Sequence, residues 1–236
     1  MARAPFRFVA PRLPAAGESV ALPDTEAAHV RVRRLSPGDP VLLVDGSGSE
    51  AEAEVLSVSK TAAVVLVKNV RAAGAPAPAI WLGVGAIRPE RLGWIAEKAG
   101  ELAVDTLALV RSERTQGFRA GPGALARLER LVREAAKQSG SARWPSCEGP
   151  FDLPDALAGA RGDVRLFLDF SGEPFPAALA ATSTAILVGP EGGWTDAERD
   201  AAARSGWRSL SLPAATLRSE TAAVAAVVLA RAAMGR

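Results

Sequence analysis

From residue 80 onward the chain alternates short apolar runs with segments of helical period, and this alternation constrains the fold more than any other feature. IWLGVGA (80–86), VDTLALV (104–110), VRLFLDF (164–170), AILVG (185–189) and RSLSL (208–212) read as strands. A helix is predicted from Pro89, a favoured first-turn residue, to about Leu102. A second covers 123–139, with Leu125, Leu128, Leu131 and Val132 at helical spacing, and a last one covers 219–233. Such alternation predicts an α/β domain: a parallel sheet with helices on both faces. Ligands of such sheets sit outside the carboxyl ends of the strands.

Residues 1–70 read as all-β. VLLVDGSGSEAEAEVLSVS (41–59) gives a strand, an Asp45-Gly46-Ser47-Gly48 turn and a second strand, and AAVVLVKNV follows Lys60-Thr61. Pro37-Gly38-Asp39 marks one more turn. Short strands at close spacing predict a small barrel. RAAGAPAPA (71–79) has little to bury and reads as a linker, leaving 80–236 as the second domain.

Composition narrows the function classes. An apolar fraction of 48% and a charged fraction of 23% are those of a globular protein. No apolar run approaches the roughly 18 residues of a membrane span, and MARAPFRFVAPRLP lacks a secretory h-region. Cys147 is the single cysteine, so no internal disulfide forms and a cytoplasmic location is expected. His29 is the only histidine, which sets aside a His/Cys metal site, and there is no GxSxG nucleophile motif. A net charge of +2 permits a nucleic-acid partner without demanding one. Arg31, Arg33 and Arg34, with Arg3, Arg7 and Arg12 upstream, are the candidates for phosphate contacts. A solvated surface is the alternative reading of that cluster.

The stretch LVGPEGGWTDAERD (187–200) is the candidate for the chemistry, a tight strand–helix turn with no ligand being the alternative reading. An apolar strand ends in Gly189-Pro190-Glu191-Gly192-Gly193, and Thr195 through Glu198 reads as a capping box opening a helix. The Lys-Ser/Thr pair of a phosphate loop is missing, and the GxGxxG spacing fails. Glycines here let a backbone approach a ligand, and Glu191 suits a neutral or cationic one. In LSLPAATLRSETAAVAAVVLA (210–230), Ser219 is a candidate cap and Glu220 a first-turn acid. Arg218 at a helix N-terminus implies an anionic partner elsewhere. Lys98 and Glu101 are spaced to pair on a helix surface. REAAKQSGSARWP (133–145) is a helix ending at Gly140, with Arg143 just beyond.

Taken together and in this order, these stretches resemble the RsmE family. Gly189 to Thr195 resembles its GPEGG-aromatic-Ser/Thr signature, and Leu217-Arg218-Ser219-Glu220-Thr221-Ala222 its LR-x-ETA segment. Weaker similarity lies in Glu97-Lys98-Ala99, Ser112-Glu113-Arg114, Gln138-Ser139, and His29 through Asp39. The chain departs from the family pattern at Pro213, Ala215 and Ser141.

The resemblance implies a SPOUT-class methyltransferase that uses S-adenosylmethionine to methylate the N3 atom of a uridine in 16S ribosomal RNA of the 30S subunit. It implies a C-terminal trefoil knot, an N-terminal PUA-like β-barrel that grips RNA, and a homodimer with the active site at its interface. Carried over, Leu168, Val188, Gly189, Pro190, Glu191, Gly192, Gly193, Leu210, Leu212 and Leu217 hold the cofactor. Arg218 stabilises the uridine anion, and Glu220, Glu191 or water takes the N3 proton. Arg7, Arg31, Arg33, Arg34, Arg114 and Arg143 contact RNA. No metal or membrane is implied. A SPOUT enzyme for another nucleotide, or a non-catalytic RNA-binding protein, is the competing reading.

Overall fold

The computed structural model describes residues 5–73, 78–85, 88–115, 123–214 and 216–235. Arg3, Ala215 and the middle of the proposed linker lie outside them. The chain forms two compact units, Met1–Ala75 with Ala136–Trp144, and Pro76–Ala135 with Pro145–Arg236. The return of 136–144 to the first unit has no counterpart in the sequence boundary at 71–79.

The first unit contains strands β1 (Phe6–Val9), β2 (Ser19–Ala21), β3 (Pro40–Val44), β4 (Ser49–Val58) and β5 (Ala63–Ala72). They pair in the order β1-β3-β4-β5-β2, parallel between β1 and β3 and antiparallel elsewhere. Inward residues alternate along each strand, and Phe8, Leu43, Val55 and Val65 fill the core. The predicted turn is present, with Gly38 at φ 96°.

The all-β reading is corrected by a helix, α1 (Asp24–Val32), which follows Pro23 and is followed by Arg34 at φ 58°. Its inner face carries Ala27, Val30 and Glu26. Glu26 is buried because both its carboxylate oxygens accept from Lys137 Nζ, at 2.6 and 2.7 Å. Local pattern conceals this helix, since its buried acid is compensated by a lysine far along the chain.

The second unit is the predicted α/β domain. Its elements are β6 (Ala79–Gly85), α2 (Pro89–Glu101), β7 (Thr106–Arg111), α3 (Ala124–Ser139, its last turn in the first unit), β8 (Ser146–Asp152), α4 (Leu153–Gly159), β9 (Val164–Pro174), β10 (Ser183–Val188), α5 (Asp196–Arg204), β11 (Arg208–Ser211) and α6 (Ser219–Ala233). The strands are all parallel, in the order β11-β9-β10-β6-β7-β8. One face packs Ile80, Leu82 and Val84 against Ile95 of α2, Leu128 of α3 and Val227 of α6. The other packs Trp81, Phe167 and Leu187 against Leu157 of α4 and Ala202 of α5. Both faces are therefore covered, as a parallel sheet requires.

Strand β8 has no counterpart among the strands the sequence predicts. It contains Gly149-Pro150, which argues against a central strand, and it lies at the sheet edge where its pairing with β7 slips. Among the described residues no helix is long and apolar enough to cross a membrane.

Candidate active site

At the carboxyl ends of β9, β10 and β11 the second unit holds a cavity of about 790 Å³, within the range of small-molecule sites. Leu168, Val188, Gly189, Pro190, Glu191, Gly192, Gly193, Leu210, Leu212, Leu217 and Arg218 all line it. Sequence positions spread over 50 residues therefore meet at one place.

The loop after β10 is anchored from below. Trp194 is fully buried and stacks on Phe167, ring centroids 4.6 Å apart, while its Nε1 donates to Leu168 O at 2.9 Å. This bond ties the loop to the end of β9. Gly189 lies on the Trp194 ring, where a Cβ would approach within 2.9 Å. Downstream the capping box forms as predicted: Thr195 Oγ1 accepts from Glu198 N, and Glu198 Oε2 accepts from Thr195 N at 2.8 Å. The other Glu198 oxygen accepts from Glu113 N at 2.8 Å. Arg114 Nη1 donates to Gly192 O at 3.0 Å. The Ser112-Glu113-Arg114 segment therefore braces the glycine loop.

Charge at the site centres on Arg91, in the first turn of α2. Its Nη1 donates to Glu191, and its Nε lies 3.6 Å from Glu220 Oε1. One guanidinium thus joins both candidate acids. The Glu220 side chain is only 14% exposed, and its Oε2 is buried with no hydrogen-bond partner among the described residues. Ser219 does not cap α6; it is the first helical residue and is buried, and Arg218 occupies the cap position without a side-chain cap bond. No described residue supplies the anionic partner expected for Arg218, whose exposed guanidinium lines the cavity.

Asp169 also lines the cavity. Burial pushes its pKa up, but hydrogen bonds from Ser171 and Arg199 outweigh that and hold it below the usual carboxylate range. Arg91, Asp169 and Phe170 escaped the sequence reading. Asp169-Phe170-Ser171 does carry a local signal, an acid two residues before a backbone N–H it can bind.

The other candidates separate by unit. Arg7, Arg31, Arg33, Arg34 and Arg143 belong to the first, and Arg114 to the second. Arg7 pairs with the buried Glu50 at 3.3 Å, and Arg33 lies over the Phe6 ring at 4.9 Å. Arg12 and Arg34 are exposed. Arg143 packs along Gly48, where a Cβ would stand 2.7 Å from its Nη2. Lys98 pairs with Glu101 at 2.6 Å, the surface pair its spacing predicted. His29 is a half-exposed neighbour of Glu26 and Lys137. Burial pushes the Cys147 thiol up to about 12, so it stays protonated and inert.

Comparison with known proteins agrees with this geometry. A family model described as the RNA methyltransferase domain matches residues 75–231, and one described as the RNA methyltransferase PUA domain matches 22–68. Ribosomal RNA small subunit methyltransferase E of Mycobacterium bovis is 28% identical over 233 residues, covering 93% of this chain and 88% of that protein. The protein of that name from Synechocystis is 27% identical over 205 residues, covering 84% of this chain and 67% of its own length. The crystal structure of the Neisseria gonorrhoeae protein of that name, bound to S-adenosylmethionine, superposes with a TM-score of 0.83 at 27% identity, covering 95% of each chain. With the methyltransferase model spanning most of the residues and the signature loop lining a ligand-sized cavity, the chain belongs to the RsmE family of RNA methyltransferases.

Proposed function

We propose that this protein transfers a methyl group from S-adenosylmethionine to the N3 atom of a uridine in 16S ribosomal RNA. The observation that carries the reading is the convergence of the glycine loop and Arg218 on one cavity at the sheet's carboxyl edge. The lining fits the cofactor. Val188 and Leu210 offer buried apolar walls for its adenine, Gly189 to Gly193 offer backbone donors and acceptors, and Glu191 is compatible with a sulfonium. When bound, the cofactor supplies an electrophilic methyl group on a cationic sulfur.

The protein's own residues would do the rest. N3 of uridine carries a proton and becomes nucleophilic only on losing it. Glu191 lines the cavity but is held by Arg91, and Glu220 stands buried on the other side of that guanidinium, outside the lining, so Glu191, Glu220 or water would take the proton. Arg218, with no partner among the described residues, stabilises the uridine anion as it forms.

Residues 1–70 would grip RNA as a PUA-like barrel, 71–79 would link, and 80–236 would carry the chemistry. The placement of β9 between β10 and β11, with the loops after residues 168, 188 and 212 around one cavity, supports a trefoil knot. A cytoplasmic homodimer acting on the 30S subunit completes the reading, by likeness to the family.

The test compares wild type with Arg218→Ala. Isothermal titration with S-adenosylmethionine should give equal affinities. Methyl transfer should fall by roughly a hundred- to a thousand-fold, the usual loss of one preorganised stabilising group. A wild-type rate in the variant would remove Arg218 from the chemistry.

A further inference from the structure

Strand β9 does not stay flush with β11. Phe167 lies opposite Ser209, yet the next residue of β11, Leu210, lies opposite Glu173. Residues 168–172 therefore have no partner on β11, and beyond Leu168, which still pairs with Val188 of β10, the strand arches out as a bulge, a device that re-aims side chains beside active sites. The arch is pinned. Buried Asp169 accepts from Ser171 N at 2.8 Å, from Ser171 Oγ at 2.6 Å and from Arg199 Nε at 2.7 Å. Gly172 closes its far side, where a Cβ would stand 2.5 Å from Leu210 N.

The pinned arch carries Phe170, 73% exposed, on the cavity that Arg218 lines. Single exposed apolar side chains are common on protein surfaces, but among the described residues Phe170 is the one exposed large apolar side chain that lines this cavity. Its neighbour is Gly193, where even an added Cβ would reach only within 3.7 Å of Phe170 Cζ.

We propose that Phe170 is the stacking platform for the target base, and this rests on the methyltransferase reading above. A base must leave its stack for an enzyme to reach its ring nitrogen, and a waiting aromatic ring replaces the lost stacking. The contact is made to the face of the pyrimidine, which leaves its edge free for Arg218 and for proton removal. The cofactor's adenine finds its walls at buried Val188 and Leu210, not at this exposed rim.

The test uses the full chain with Phe170→Ala and Phe170→Trp. Titration with S-adenosylmethionine and steady-state methyl transfer to 30S subunits lacking the modification are measured together, with the mass in solution as a third readout. Phe170→Ala should raise KM for the RNA substrate roughly ten-fold or more, with the cofactor Kd and the mass unchanged. Phe170→Trp should restore KM. A weaker cofactor Kd with unchanged RNA KM would assign the ring to adenine and overturn the proposal. A changed mass would assign it to a second copy of the chain, and no change in any readout would leave it without a role. If wild type binds S-adenosylmethionine but methylates no RNA, or does neither, the methyltransferase reading fails first and this proposal falls with it.

Discussion

Arg91 joins Glu191 and Glu220, which lie 29 residues apart in sequence (191 to 220), across a gap no local pattern spans. Removing it takes from both carboxylates the cation they share. Arg91 and Glu191 are both partly exposed, so the ion pair itself stabilises the fold by only about 1 kcal/mol or less. The effect on activity should be larger, because the pair sets where both acids stand. Arg91→Ala is expected to lower methyl transfer on the order of ten- to a hundred-fold while the thermal midpoint moves little. Steady-state rates beside a melting curve check this; a rate loss matched by unfolding would make Arg91 merely structural. The sequence marks Glu191, Arg218 and Glu220 because each sits in a dense motif. It does not mark Arg91, an ordinary first-turn arginine of an amphipathic helix.

The bulge in β9 shows what sequence conveys about an element and what it does not. The apolar run 164–170 reads as a strand, and it is one. Its departure from β11 depends on pairing across the sheet, which a single run does not record. Asp169 fixes the arch, and its stabilisation has a definite pH sign. Its folded pKa is depressed, so its contribution is complete above the unfolded value of about 3.9 and is lost as pH falls through the folded one. Asp169→Asn should therefore cost roughly 2 kcal/mol at neutral pH and flatten the acid limb below about pH 4. Urea midpoints measured against pH test it; parallel curves for the two proteins would contradict it. The helices α2, α3 and α6 are legible because Pro89, the Leu125–Val132 spacing and the Ser219–Ala233 run are local. Helix α1 and strand β8 are not, because one buries an acid paired through Lys137 and the other carries Gly-Pro at a sheet edge.

At the scale of the whole molecule, net charge conceals function. A charge of +2 is nearly neutral, yet Arg31 in the last turn of α1 and Arg33 and Arg34 just beyond it lie within four residues. If the first unit holds RNA through phosphates, affinity falls steeply with salt. Neutralising these three arginines should make the slope of log K against log salt shallower by about two to three. An unchanged slope would return the cluster to solvated surface.

Methyl transfer itself tests the proposed activity. Labelled S-adenosylmethionine is supplied with 30S subunits from cells lacking this protein, and primer extension maps the product. The expected result is incorporation with one polymerase stop at a uridine of the decoding region, since N3 methylation blocks pairing. Incorporation with no stop at a uridine, or none on either subunits or free RNA, would contradict it.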